Sequence, residues 1–176
     1  RMHMSFASRV TLVVLGLLLS ACSTQSSQTD VKLSRTGSWV LLPLVNLAQA
    51  PQAAEGAEQI LFSVLAANGL TVTPAPQQQQ PADEFPLEDS QRLQQALQWA
   101  RQRGDSYAIS GSVEEWQYKS GLDGEPAVGI TLRVIEPASG RILWSASAAR
   151  AGWSRESLAG AAQTVLESLV ADLPLQ

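Results

Sequence analysis

Apolar and polar positions change rhythm several times along this chain, and each rhythm predicts an element. Residues 11–19, TLVVLGLLL, form an unbroken apolar run that gives way at once to the polar stretch CSTQSSQTD. SWVLLPLVN, 38–46, is apolar without alternation, the mark of a strand covered on both faces, and Pro43 should end it. AAEGAEQILFSVLAANGL follows, with Ala57, Ile60, Leu61, Val64 and Leu65 on one helical stripe and Asn68-Gly69 as its stop. Leu70 to Thr73 reads as a short strand returning beside the first.

The segment PAPQQQQPADEFPLED, 74–89, is a low-complexity insert with no predicted element. Asp89 or Ser90 can cap the next helix, whose stripe is Leu93, Ala96, Leu97 and Ala100, with Gly104 as stop. Two alternating runs come next. Tyr107, Ile109, Gly111 and Val113 share one face, with Ser112, Glu114, Trp116 and Tyr118 on the other; Val128, Ile130, Leu132 and Val134 face a core. The glycine-rich link KSGLDGEP reads as a hairpin loop, and EPASG as a tight turn into a third strand, RILWSASAAR. Ser154, Glu156 and Ser157 open a last helix with Leu158, Ala161, Ala162, Val165, Leu166 and Leu169 inward, closed by Pro174. The order β-α-β-α-β-β-β-α gives an α/β (α+β) fold: a mixed sheet with an antiparallel three-strand meander and helices packed on it.

Composition then narrows the chemistry. The 176 residues are 45% apolar and 16% charged, enough for one domain with a core. One cysteine and one histidine exclude an internal disulfide and leave a zinc site short of ligands. Arg9, the short apolar run and the small residues Ser20 and Ala21 have the layout of a secretory signal, too short to span a bilayer, which takes about 20 apolar residues. Residues 1–3 precede a start at Met4 and are set aside. Residues 1–21 are thus expected to be a signal peptide, 22–35 a lipidated cysteine with a flexible tether reaching ~20 Å, and 36–176 one periplasmic domain. Leu19-Ser20-Ala21-Cys22 resembles the lipobox of bacterial lipoproteins, which implies cleavage before Cys22 and acylation of it. Several acyl chains, each adding about 0.8 kcal/mol per buried methylene, anchor stably. Ser23 after the cysteine fits sorting to the outer membrane.

Cleavage at Cys22 removes His3, Arg1 and Arg9, leaving 10 basic against 16 acidic residues and a charge near −6. That balance disfavours nucleic acid and weakly favours a cationic ligand. Without histidine, serine or cysteine catalysis lacks its usual base. Glu114 and Glu115, neighbours on a strand, should point to opposite faces and so cannot form a glycosidase pair; Asp123 and Glu125 lie in a turn, where acidic residues have local reasons to be. No catalytic residue, metal or cofactor is expected. Of the five tryptophans, Trp39 and Trp99 read as core or core-edge, and Trp116 with Trp144 as cross-strand packing. Trp153, in ARAGWSRES between Arg150 and Arg155, suits either a membrane interface or partner surface, or a staple onto the last helix.

The pattern ISGSVEEW…VGITLRVIEPASGRILWSAS resembles the sheet of a group of outer-membrane lipoproteins that includes CsgG and LpoB. Within it, WVLLPLVNLAQAPQAAEGAEQILFSVLAANGL makes Trp39 to Leu173 look most like the PelC family of the Pel exopolysaccharide export system of biofilms. The resemblance implies a non-enzymatic, lipid-anchored homo-oligomeric ring on the periplasmic face of the outer membrane. It would work with the porin PelB, and an acidic lumen would draw in a cationic polysaccharide. Carried over by position, Cys22 is the lipidation site, Trp153 the membrane-interface aromatic, and Asp123 and Glu125 candidates for the acidic lumen. The alternative is a monomeric periplasmic activator of a peptidoglycan synthase.

Overall fold

The computed structural model describes residues 31–77, 87–120, 124–152 and 155–176. In chain order the elements are β1 (Trp39–Leu41), β2 (Val45–Asn46), α1 (Ala53–Ala67), β3 (Val72–Pro74), α2 (Asp89–Arg103), β4 (Tyr107–Tyr118), β5 (Pro126–Ile135), β6 (Ile142–Ala151) and α3 (Leu158–Ala171). They make the mixed sheet with three helices that the hydrophobic pattern predicts. The strands lie in the order β3-β1-β4-β5-β6, with β2 also paired to β4. β3 returns parallel to β1, as Trp39 opposite Val72, while β4, β5 and β6 form the antiparallel meander.

Why the first run lacks alternation is visible at once. Trp39 and Leu41 enter the main core under α1 and α3, while Val40 and Leu42 enter a second, smaller cluster under α2. Pro43 has no N–H to give to the ladder, so the run divides there into β1 and β2. Glycine ends both of the first two helices: Gly69 and Gly104 have φ of 76° and 72°, a conformation costly for residues with a Cβ. At α1 the Leu70 N–H reaches the Leu65 carbonyl and the Gly69 N–H the Ala66 carbonyl, both at 3.0 Å, closing the last turn. α2 starts one residue before the expected caps, on Glu88, whose N–H donates to Gln91 Oε1 at 3.3 Å. At α3, Ser157 Oγ accepts from the Gly160 N–H at 3.0 Å.

Packing begins before residue 36. Leu33, in the segment read as tether, is fully buried, bridges to Leu175, and receives the Gln176 N–H at 3.0 Å. Trp39 Nε1 donates to the Ser34 carbonyl at 3.0 Å, and the Trp39 ring lies 4.5 Å from that of Tyr107.

A bulge in β4 changes the face of its second half. The register steps from Val113 opposite Ile130 to Glu115 opposite Gly129, leaving Glu114 as the extra residue. Trp116 therefore lies opposite Val128 and packs against the main core, on the Val113 face and not on the Ser112 face that strict alternation assigns it. The expected Trp116–Trp144 packing is absent for a different reason: the two rings share a face but lie far apart along the meander. Trp144 pairs with Val134, six residues along β5 from Val128, about 20 Å at 3.4 Å per residue.

Candidate functional site

Of the residues singled out from the sequence, Cys22, Asp123 and Trp153 lie outside the described residues. Glu125 is exposed at the neck of the β4–β5 hairpin, where its carbonyl accepts from the Lys119 N–H at 2.7 Å. The same end of the sheet holds both flanks of Trp153. The Gly152 N–H donates to the Pro126 carbonyl at 2.7 Å, and Arg150 pairs with Glu156 at 3.3 Å. A Cβ on Gly152 would fall 2.1 Å from Glu156 Oε2, so a larger residue there would displace the carboxylate that pairs with Arg150.

The bulge also overturns the expectation that Glu114 and Glu115 diverge. Glu114 Oε1 accepts from the Ser112 and Thr131 hydroxyls, each at 2.7 Å, on the face away from α1 and α3. Glu115 stands opposite Gly129 on that same face and accepts from Gln117 at 3.2 Å. With Ser147, 2.7 Å from Thr131, these side chains form a hydroxyl and carboxylate patch across three strands.

Two concavities flank this sheet. The first, about 620 Å³, lies between the start of α1, the β1–β2 junction and α2. Glu55, Glu58 and Arg92 face it together with Pro43, Ala96 and Trp99. Burial pushes the Glu58 carboxyl up; Glu55 and Asp89 push the same way, against the Leu44 N–H and Arg92. Glu58 Oε1 accepts that Leu44 N–H at 2.8 Å, tying α1 to the chain after Pro43. Asp89 accepts from the Asn46 N–H at 2.8 Å and pairs with Arg92. Burial alone would raise its carboxyl, but these two partners hold it below its usual value. Arg92 is raised in turn by the Asp89 hydrogen bond, while its buried Nε has no partner among the described residues. Glu58 and Asp89 are thus occupied in bracing α1 and α2 against the chain at Leu44 and Asn46. Sequence reading missed Glu58 and gave Asp89 only a capping role, because their partners lie 14 and 43 residues away.

The second concavity, about 610 Å³, is an open groove between α1 and α3, with Trp116 among its lining residues. Gly56, Ile60 and Val64 line it from α1, and Ala159, Gln163 and Glu167 from α3. No described helix is long and apolar enough to cross a membrane.

Comparison with protein-family models and with curated proteins returns no match. Solved structures do match. A PelC dodecamer from Paraburkholderia phytofirmans is 32% identical, with a TM-score of 0.71 over 88% of this chain and 98% of that one. A point variant of it, also a dodecamer, in space group C2, agrees to the same 32% and 0.71 and is covered to 99%. The lipoprotein GNA1162 from Neisseria meningitidis, at 17% identity and a TM-score of 0.57, shares the fold. With a third of its residues identical across almost the full length of the first of these relatives, and with the strand and helix order found above, the chain belongs to the PelC family.

Proposed function

We propose that the chain is a lipid-anchored, non-enzymatic subunit of a homo-oligomeric ring that guides a cationic exopolysaccharide to an outer-membrane export pore from the periplasmic face. The likeness to PelC dodecamers over nearly their whole length carries this reading. Two features of the chain support it. Acidic residues outnumber basic ones 16 to 12, which suits a positively charged polymer. Leu47, Phe62, Tyr118 and Ile142 are large apolar side chains exposed on the single subunit, surface that a ring or a bilayer would cover. In this reading Cys22 carries the lipid, Trp153 meets the membrane, and Asp123 and Glu125 on the hairpin face the lumen beside a PelB-type porin.

The mass of the full chain, extracted with its lipid in detergent, tests the reading. A closed ring of about the size of the relatives' dodecamers is the expected result. A monomer at high concentration would overturn it in favour of a binding module that activates a synthase.

A further inference from the structure

The groove between α1 and α3 combines groups that suit one kind of ligand. Its lining runs along one stripe of each helix: Gly56, Gln59, Ile60, Ser63 and Ala67 on α1, and Ala159, Gln163 and Glu167 on α3. Ala159 to Glu167 spans eight residues, about 12 Å at 1.5 Å per residue, room for more than one linked sugar ring. Trp116 stands near Gly56, whose Cβ would come within 3.6 Å of the indole. Its indole N–H has no hydrogen-bond partner among the described residues, and neither has the side-chain amide of Gln59.

Charge narrows the choice further. Glu167 is the one charged side chain among the described residues that line the groove. Gln163 Nε2 donates to its Oε1 at 2.9 Å, which fixes the carboxylate, and no cation pairs with it among the described residues. A second copy of this acidic chain gains little from such a groove. An amine-bearing sugar gains an aromatic face, an indole donor, an amide and a carboxylate.

We infer that the groove is a subsite for an amino-sugar chain: Trp116 stacks on one pyranose ring, and Glu167 takes the ammonium of a neighbouring ring. The inference rests on the proposed function for its polymer, and adds where a single subunit holds it. The test is calorimetric titration of the full lipidated chain in detergent, after its mass has been measured, with a glucosamine hexamer and with the fully N-acetylated hexamer.

The amine form should bind and the acetylated form should bind at least about fivefold more weakly, with the difference shrinking in high salt. Glu167→Gln should cost about two- to fivefold and Glu167→Lys should abolish the preference for the amine; both sit on the exposed side of α3 and should leave the melting temperature unchanged. Trp116→Ala should cost about tenfold or more, and Trp116→Phe less. Equal affinity for the two hexamers, or unchanged affinity in a folded Glu167→Lys protein, overturns the inference. A ring that fails to bind the amine sinks this site and leaves the ring reading standing, whereas a monomer that binds it does the reverse.

Discussion

On one face of the sheet Ile109, Val113, Ile130, Leu132 and Ala146 disappear beneath α1 and α3; on the other, Ser110, Ser112, Thr131 and Ser147 stand where apolar residues would be expected if a second pair of helices covered them. Among the described helices only α2 packs there, over Val40, Leu42, Ala108 and Ile135. The covered face therefore carries most of the burial energy, and the other keeps a polar patch bound together by hydroxyl and carboxylate hydrogen bonds. What divides them is not strand identity, since β4 and β5 serve both. It is side-chain alternation, and the bulge at Glu114 resets that alternation midway along β4.

If the difference between the faces is real, equal truncations should have unequal costs. Leu166→Ala, from a fully buried site on the inner face of α3, should lose about 2–5 kcal/mol in urea unfolding. Leu97→Ala, partly exposed on α2, should lose only about 1 kcal/mol, in proportion to the smaller area it removes from water. Similar losses at the two sites would erase the distinction.

A middle-sized effect comes from the carboxylate that straps α1 to the chain after Pro43. Glu58→Ala leaves the buried Leu44 N–H without its acceptor and should cost about 1–3 kcal/mol. Glu58→Gln keeps an acceptor and removes the titration. Because the folded-state pKa of Glu58 is raised above its ordinary 4.5, the folded chain holds that proton more tightly than the unfolded chain. Its contribution is fully present below 4.5 and is lost as pH rises through the raised value. The urea midpoint of Glu58→Gln plotted against pH should accordingly fall less steeply than wild type just above pH 4.5. The opposite sign would mean that the Leu44 N–H and Arg92 outweigh burial and hold the carboxyl below its ordinary value.

The smallest effect is local to the helix that completes the covered face. Ser157→Ala removes the hydroxyl that accepts the Gly160 N–H at the start of α3 and should cost about 1 kcal/mol. Ser157→Asp should restore most of that, since it returns an acceptor at the positive end of the helix dipole.

Much of the fold was legible because it rests on short-range periodicity. The stripe from Ala57 to Leu65, the Asn68-Gly69 stop and the inward set Val128, Ile130, Leu132 and Val134 follow from repeats of 3.6 and 2 residues, which the chain displays openly. The double burial of β1 could be read from its missing alternation. The bulge is harder to read: Val-Glu-Glu-Trp breaks the alternation with two polar residues in a row, but only the register against β5 shows that Glu114 is the extra one. That single insertion moved Trp116 into the groove and placed Glu114 and Glu115 on one face, against both expectations.

The candidate sites divide along the same line. Sequence by itself determined the element order, the glycine stops of α1 and α2, the absence of histidine from the proposed mature chain and the acidic balance, because these depend on residue type and near neighbours. Tertiary structure alone decided that Glu58 meets Leu44, that Asp89 meets Asn46, and that Trp116 shares a groove with Gln163 and Glu167. Those meetings join residues far apart in the chain, and they are set by how three helices settle on one sheet, which the pattern within any single element does not encode.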